Sequence, residues 1–312
     1  MTTSDKNPSR AGICALVGPP NAGKSTFLNR ALGMRLAAVS PRPQTTRNRI
    51  LGVVNHSEPP AQIVYLDTPG AQLGETALRR YMRETSLGAA GDCDVAVVLL
   101  DAADPRYQRP EDLPPGAASA LDEILQAISG PAILALNKID RLADKQVLLP
   151  IIAAYAETGR YAAIVPISAA TGSGLDALQS EIARALPEGP WLFPEDMVTD
   201  RAERFIAGEL IREQLFRQLG EEVPYATAVV VEGFEDRSDR GDVVITAEIF
   251  VERESQKAIV VGKGGARIKQ VGTAARAAIA ELLGCPVHVR LHVKVAPDWS
   301  KNPQTMRRLG YD

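Results

Sequence analysis

The sequence predicts an α/β domain with a mostly parallel sheet and helices on both faces, followed by a smaller α+β domain. Three observations lead to this prediction. Apolar runs alternate with helix-length segments through the first half of the 312-residue chain, which is typical of β-α-β units. A proline-rich stretch at 186–194 then interrupts the pattern. Beyond it the order changes to α-β-β-α-α-β, and the length also suits about two domains.

The elements of the first half follow from local composition. Strands are expected where apolar and β-branched residues cluster, at 13–17, 50–54, 62–66, 95–100, 132–136 and 164–167. Helices are expected at 24–32, 76–88, 117–128, 145–156 and 175–186. The run at 95–100 contains only valine, alanine and leucine, as expected of a strand buried on both faces.

The second half begins with a predicted amphipathic helix at 201–219. Its apolar residues recur at three- and four-residue spacing; they are Phe205, Ile206, Leu210, Ile211, Leu215 and Leu219. Strands are expected at 226–231, 243–251 and 287–295, and helices at 255–260 and 266–283. The last strand alternates strictly between apolar and polar residues, so one face is expected to be buried.

These elements predict five segments. Residues 1–10 are expected to be a disordered lead-in, 11–187 the first domain, 188–200 a semi-rigid linker, 201–296 the second domain and 297–312 a tail. The prolines of the linker block helix formation and stiffen the chain. Trp191 and Phe193 are expected to pin it to one of the domains.

Composition excludes several classes of protein. The 45% apolar and 23% charged content is that of a globular chain, not a disordered one. No apolar run approaches the roughly 18 residues of a membrane span, and the polar N-terminus lacks the apolar core of a secretory signal. Three scattered cysteines, Cys14, Cys93 and Cys285, form neither a zinc motif nor a disulfide framework. A secreted, disulfide-rich or integral membrane protein is excluded, and a reducing compartment is expected.

Charge is distributed unevenly along the chain. Ten basic residues lie between 255 and 312: Lys257, Lys263, Arg267, Lys269, Arg276, Arg290, Lys294, Lys301, Arg307 and Arg308. Three acids oppose them, so this end carries +7 and the remainder −10, for a net charge of −3. The asymmetry favours a polyanionic partner such as nucleic acid, although a solvated basic surface would show the same pattern.

The strongest motif lies between the first strand and the first helix. It is G-x-x-x-x-G-K-S, formed by Gly18, Pro19, Pro20, Asn21, Ala22, Gly23, Lys24 and Ser25, with Thr26 next in the helix. Glycines let backbone N–H groups wrap a polyphosphate at a helix N-terminus. Lys24 is expected to neutralise the β- and γ-phosphates, and Ser25 to ligate Mg²⁺. A P-loop is therefore predicted.

The nucleobase is indicated by Asn137, Lys138 and Asp140, which follow the predicted strand 132–136 as N-K-x-D. A carboxylate can accept two hydrogen bonds from guanine N1–H and its 2-amino group, whereas adenine lacks both donors. Asp140 is therefore the expected selectivity residue, with Asn137 and Lys138 bracing the loop and flanking the ring. Backbone N–H groups of Ser168 and Ala169 are expected near the guanine oxygen.

A predicted switch lies between these motifs, in Asp67, Thr68, Pro69 and Gly70. Asp67 is placed to hold Mg²⁺ through water, and the Gly70 N–H can bond a γ-phosphate only while that phosphate is present. In the loop before residue 50, Thr46, in preference to Thr45, is expected to reach Mg²⁺ in the triphosphate state. Lys24, Thr46, Asp67 and Gly70 are thus the predicted catalytic residues.

The second domain carries a possible RNA clamp. Gly262, Lys263, Gly264 and Gly265 form G-x-x-G between two predicted helices, and Arg267 and Lys269 extend its positive rim. In KH domains such a loop grips the backbone of about four single-stranded nucleotides. His288 and His292 lie about 13 Å apart along one strand, which is too far for one metal ion, so a solvated or RNA-facing row is expected.

The motifs stand in the order typical of translation-factor-type GTPases, and nearly the whole chain resembles the Era family. The resemblance also rests on the segments 43–47, 223–225, 251–257 and 259–266. It implies a P-loop GTPase domain followed by a type II KH domain. It further implies binding to the 3′ end of 16S ribosomal RNA, a role in maturation of the small ribosomal subunit, a cytoplasmic monomer, and loose association with the inner face of the cell membrane. Asn21 matches a position where related GTPases hold potassium, so K⁺ is expected beside GTP and Mg²⁺.

One departure bears on the rate of hydrolysis. Many GTPases place a water-orienting glutamine directly after the glycine of the switch motif. Here Ala71 occupies that position and Gln72 follows one place late, so slow intrinsic turnover is expected. Two alternatives remain from the residues alone: a metabolic P-loop kinase or ATPase, and a scaffold that binds RNA regardless of nucleotide. Asp140 opposes the first, and intact Lys24 and Asp67 oppose the second.

Overall fold

The computed structural model describes residues 9–70, 76–220, 222–237 and 239–311. The strands are β1 (Arg10–Val17), β2 (Ile50–His56), β3 (Ala61–Asp67), β4 (Val95–Asp101), β5 (Ala132–Asn137), β6 (Ala163–Pro166), β7 (Ala228–Arg237), β8 (Asp242–Val251) and β9 (Val287–Val295). The helices are α1 (Lys24–Leu32), α2 (Ala77–Gly91), α3 (Pro115–Ala127), α4 (Leu148–Glu157), α5 (Leu175–Ala185), α6 (Glu203–Gln218), α7 (Glu254–Val261), α8 (Ala266–Leu283) and α9 (Pro303–Arg308).

The described residues form two compact units that do not follow the predicted boundaries. The first contains 9–33, 46–70 and 82–200, and the second contains 34–45, 76–81 and the described residues from 201 onward. Two short stretches of the expected first domain are therefore grouped with the second half of the chain. The segment 34–45 is grouped with the second half because its backbone and the Arg35 side chain form hydrogen bonds with side chains of α6.

The first unit is built on a six-stranded sheet of order β2-β3-β1-β4-β5-β6, with only β2 antiparallel. The parallel sheet predicted from alternating segments is confirmed. Register pairs Leu16 with Asp67 and Asp101 with Asn137. The carboxyl ends of the parallel strands therefore meet at one edge, where ligands bind in open α/β sheets.

The amino-terminal boundary differs from the expectation. Arg10 was expected to be disordered, but it is the first residue of β1 and pairs in register with Ala61. Its guanidinium donates to the carbonyl of Leu186 at 2.5 Å and pairs with Glu188 at 3.3 Å. A charged residue can begin this strand because its side chain finds carbonyl and carboxylate partners. The rest of the expected lead-in, 1–8, lies outside the described residues.

The predicted linker is bound to the first unit. The buried amide of Gln62 accepts the N–H groups of Leu192 and Phe193 at 2.8 Å and donates to the Phe193 carbonyl at 2.9 Å. Of the two rings expected to pin the segment, Trp191 is 38% exposed and Phe193 is half-buried. Hydrogen bonds between the backbone of the segment and the Gln62 side chain also hold it to β3.

The second unit has a three-stranded sheet of order β7-β8-β9, with β7 antiparallel and β9 parallel to β8. The predicted α-β-β-α-α-β order is confirmed for α6 to β9. The bounds of α8 and β9 are those expected, and the polar residues of β9 are exposed in alternation. β7 is longer than expected, and its register shifts between Val231 and Gly233.

The expected tail is folded into the second unit. Trp299 is fully buried, its indole N–H donates to the Ala226 carbonyl at 2.9 Å, and its ring stacks on Tyr311 with 5.6 Å between centroids. Asn302 caps α9 by accepting two backbone N–H groups. No helix among the described residues is long and apolar enough to cross a membrane.

The two tryptophans provide a matched test of this tail. We expect Trp299→Ala to lower the free energy of unfolding by about 3–5 kcal/mol, because a large buried side chain and its hydrogen bond are removed. Trp191→Ala, at an exposed position, is expected to change it by less than about 0.5 kcal/mol. Urea unfolding of both variants of the full chain measures the difference, and equal effects would show that the tail is not part of the core.

Candidate functional site

The P-loop follows β1 and leads into α1, as predicted. Two of its glycines are required by close approach. Gly18 has φ 135° and a Cβ there would collide with the Leu99 carbonyl oxygen, while Gly23 has φ 98° and faces the amide of Asn137. The intervening loop residues are Pro19, Pro20, Asn21 and Ala22, and Thr26 lies in the first turn of α1. The backbone N–H groups at the start of α1 can donate hydrogen bonds to an anion.

Lys24 lies inside the loop with only 5% of its surface exposed. Its ammonium donates to the carbonyls of Gly18 and Pro19, both at 3.0 Å. Burial lowers the pKa of Lys24 to about 8, and the nearby charge of Asp67 opposes that decrease. The loop therefore holds a cation that a polyphosphate would stabilise.

Three side-chain oxygens meet beside Lys24. Ser25 Oγ lies 2.7 Å from Thr46 Oγ1 and donates to Asp67 Oδ2 at 2.6 Å. The hydroxyl of Thr45 points elsewhere, donating to the Arg42 carbonyl at 2.8 Å. Hydroxyl and carboxylate oxygens are the ligands that Mg²⁺ prefers, so Ser25, Thr46 and Asp67 fit this ion chemically.

The segment after β3 lies against the P-loop. Thr68 donates to the Leu16 carbonyl at 2.7 Å, and the Pro69 carbonyl accepts from Ser86 at 2.7 Å. A Cβ on Gly70 would stand 2.7 Å from Pro20 Cα, so only glycine fits without displacing the P-loop. Ala71 and Gln72, on which the expected slow hydrolysis rests, lie outside the described residues.

The N-K-x-D segment leaves the sheet at the end of β5. Asn137 donates to the Ala22 carbonyl at 2.7 Å, which braces the P-loop. Lys138 adopts φ 65° and its ammonium pairs with Asp101 at 2.7 Å. Asp140 is exposed and accepts a hydrogen bond from Ser168 Oγ at 2.5 Å. An oriented, accessible carboxylate at this edge suits a nucleobase that presents two adjacent donors.

The loop after β6 differs in detail from the expectation. The N–H groups of Ser168 and Ala169 were predicted to face guanine, but they donate to the Ser173 carbonyl at 2.8 Å and to Asn137 Oδ1 at 2.9 Å. These bonds shape the loop itself. Its direct contribution to the site is the Ser168 hydroxyl on Asp140.

The second unit carries a separate basic cavity of about 610 Å³. Its polar lining includes Arg237, Lys269, Arg276, His288 and Arg290, and apolar residues of β8, α8 and β9 complete it. Basic groups around an apolar floor suit a phosphate backbone whose bases lie against the protein.

The G-x-x-G loop between α7 and α8 has left-handed backbone at three glycines, Gly262, Gly264 and Gly265, with φ 74°, 59° and 77°. A Cβ on Gly262 would stand 2.7 Å from Arg267 Cβ. Lys263 is the remaining residue of this tight turn. Arg267, predicted to extend the positive rim, is exposed, and its guanidinium also donates to the Ile259 carbonyl at 3.0 Å. Its contact with RNA stays a prediction.

Sequence reasoning missed three of the cavity's arginines as binding candidates. Arg290 lies on the exposed polar face of β9 beside His288. Arg276 lies seven residues after Lys269 on α8 and so shares its helix face, a spacing that was readable from the sequence. Arg237 is the last residue of β7, and no spacing in the sequence relates it to the basic residues of α8. In the structure it pairs with Asp242, which also pairs with His288 of β9.

Comparison with known proteins agrees with both sites. A family model described as a 50S ribosome-binding GTPase matches residues 13–138. A KH domain model matches residues 222–300. The first match covers the P-loop, Thr46, Asp67 and Asn137, and the second covers the basic cavity. Together they support a nucleotide-binding region followed by an RNA-binding one.

Two curated relatives span nearly the full chain. GTPase Era of Geobacter metallireducens is 45% identical over 305 residues, covering 98% of this chain and 99% of the relative. GTPase Era of Stenotrophomonas maltophilia is 41% identical over 310 residues, covering 99% and 100%. Similarity of this extent spans both units, so a metabolic P-loop kinase or ATPase is not supported.

Two solved structures are similar over the same length. A single-residue variant of Aquifex aeolicus Era bound to GDP·AlF4⁻ has a TM-score of 0.89 at 38% identity and covers 97% of this chain and 99% of its own. Era in complex with MgGDPNP and nucleotides 1506–1542 of 16S ribosomal RNA has a TM-score of 0.90 at 37% identity, with the same coverage. The chain therefore belongs to the Era family of GTPases.

Proposed function

We propose that the chain is a GTP-hydrolysing switch that binds the 3′ end of 16S ribosomal RNA and assists maturation of the small ribosomal subunit. The observation that carries the proposal is the meeting of the P-loop, Thr46, Asp67 and Asn137 at one sheet edge in a chain that also bears a basic KH-type cavity. Its relative holds MgGDPNP and a fragment of 16S ribosomal RNA together.

In the nucleotide site, Lys24 and the start of α1 bind the phosphates. Ser25, Thr46 and Asp67, the last through water, would hold Mg²⁺, which would supply charge neutralisation on the β- and γ-phosphates. Gly70 would donate its N–H to the γ-phosphate, and this bond is broken on hydrolysis. Asn21 would add a potassium ligand at the phosphates.

Catalysis then depends on positioning and electrostatics, because Ala71 replaces the usual water-orienting glutamine. Slow intrinsic turnover is the expected result. Asp140, oriented by Ser168, would select guanine, while Asn137 and Lys138 hold the loop.

In the RNA site, the Gly262–Gly265 loop would grip the sugar–phosphate backbone, and Lys263 and Lys269 would attract phosphates. The bases would lie along α8 and β9.

From the family resemblance we also propose a cytoplasmic monomer with loose peripheral association to the inner face of the cell membrane. RNA affinity that differs between GTP and GDP states distinguishes the switch from a scaffold, and crosslinking to total RNA with each nucleotide measures it.

Base selection is tested at Asp140. We expect Asp140→Ala to reduce the preference for GTP over ATP by about a hundredfold or more, because two charge-assisted hydrogen bonds to guanine are removed. Competition between the nucleotides for binding measures the ratio. Asp144→Ala is the matched control, since Asp144 is exposed and only caps a neighbouring turn. An unchanged preference in Asp140→Ala would remove the basis of the proposal.

The pKa of Lys24 predicts proton uptake on binding. The lowered value of about 8 means that the free protein loses this proton as pH rises through 8, whereas a bound polyphosphate restores it. Affinity for GTP is therefore expected to fall as the pH rises through about 8, with an uptake of protons that grows towards one above that pH. Calorimetry in buffers of different ionisation enthalpy measures the uptake. Lys24→Arg, which stays charged, is expected to take up none, and equal uptake in both proteins would refute the assignment.

The RNA site is tested through salt dependence. We expect the double variant Lys263→Ala, Lys269→Ala to bind single-stranded RNA more weakly, with a log–log salt slope shallower by about 0.7 for each phosphate that is no longer neutralised. Binding to a 16S 3′-end oligonucleotide over a salt series measures the slope. Lys145→Ala, on the first unit, serves as the control, and a parallel slope in the double variant would show that these lysines do not bind phosphate.

A further inference from the structure

Helix α6 buries charge as well as apolar residues. Every residue from Ile206 to Phe216 is buried, including Glu209, Arg212 and Glu213 with 7%, 1% and 0% of their surfaces exposed. Burying ions costs several kcal/mol each unless partners compensate. A helix that needed only to pack against the sheet of its unit would not require these charges.

The partners of Arg212 lead to the segment 34–45. Its guanidinium forms a two-pronged pair with Glu209, with Nε to Oε1 at 3.0 Å and Nη2 to Oε2. Nη1 donates to the backbone carbonyl of Thr45. A rigid guanidinium fork can make these bonds together, whereas a lysine ammonium cannot reproduce them.

Glu213, the next acidic residue of α6, binds the segment 34–45 at Arg35 and Val39. Glu213 accepts from Arg35 at 2.6 Å and from the Val39 N–H at 3.1 Å. Arg217 donates to the Val39 carbonyl at 3.1 and 3.2 Å. The segment is therefore bound to α6 at residues 35, 39 and 45.

The last of these anchors lies one peptide bond from the nucleotide site. The chain passes from the second unit to the first between Thr45 and Thr46, and Thr46 Oγ1 is 2.7 Å from Ser25 Oγ. Consecutive Cα atoms are about 3.8 Å apart and the peptide is planar. A displacement of the Thr45 carbonyl must therefore move Thr46.

We infer that Arg212 is a positioning residue for nucleotide selection: by holding the Thr45 carbonyl it places the Thr46 hydroxyl beside Ser25. The inference rests on the proposed function and on the expectation that Thr46 reaches Mg²⁺ in the triphosphate state. Linkage makes the effect reciprocal, so binding of GTP would stabilise the bond between Arg212 and the Thr45 carbonyl by the same factor.

The test compares two arginines of one helix. Arg212→Lys retains a positive charge beside Glu209 but removes the fork. Arg204→Lys is the matched control, because among the described residues Arg204 donates to the carbonyls of Val231 and Glu232 in β7 and not to the segment 34–45. The equilibrium affinities for a non-hydrolysable GTP analogue and for GDP are measured in Mg²⁺, together with kcat for GTP.

We expect the ratio of GTP-analogue to GDP affinity to fall by about twofold to thirtyfold in Arg212→Lys, with GDP affinity unchanged and kcat reduced. Arg204→Lys is expected to keep the ratio of the unmodified protein. A merely structural role would instead lower both affinities together, and that result, or an unchanged ratio, overturns the inference.

A second variant guards against loss of folding. Glu209→Leu with Arg212→Met removes the Thr45 bond without leaving a lone buried charge, an exchange that cores often tolerate. The same fall in the ratio is expected, and a folded double variant with an unchanged ratio contradicts the inference.

Binding of the 16S oligonucleotide tests the switch separately. If the unmodified protein binds the oligonucleotide equally with either nucleotide, the proposed function fails. The ratio of nucleotide affinities still decides the role of Arg212 in that case.

Discussion

One buried amide joins the loops of the nucleotide site. Asn137 donates to the Ala22 carbonyl at 2.7 Å and accepts the N–H groups of Lys138 and Ala169 at 2.8 and 2.9 Å. A buried polar group left without partners is costly, so these loops are stable only in the arrangement that satisfies all three bonds. The parallel register of β1, β3 and β5 brings the loops within reach, and the amide then sets their spacing.

Much of this arrangement was readable from the sequence because short-range rules govern it. Glycine spacing defined the P-loop, apolar alternation defined β9, and the strands ended where their polar motifs began. The N–H groups of Ser168 and Ala169 were misassigned, since their partners, Ser173 and Asn137, are set by loop geometry that no local pattern encodes. The same applies to Trp299, whose burial depends on Tyr311 and on a carbonyl in a distant turn.

Helix α6 shows why domain boundaries were harder to predict. Its apolar spacing predicted one buried face, yet residues on all sides of the helix are buried. The sequence contains no sign that a segment more than 160 positions earlier would bind Glu213 and Arg212 of this helix. Their partners on that segment are backbone groups and Arg35, and backbone groups leave no signature in residue identity.

The long separation between these partners has a consequence for biosynthesis. The bonds from α6 to the segment 34–45 join residues 167, 174 and 178 positions apart. Translation proceeds at about 5–20 residues per second, so for many seconds the nascent polypeptide contains the P-loop without the helix that anchors Thr45. During that interval the emerging protein could hold guanine nucleotide but would lack the anchor that places Thr46. Discrimination between di- and triphosphate would then be acquired only after α6 leaves the ribosome.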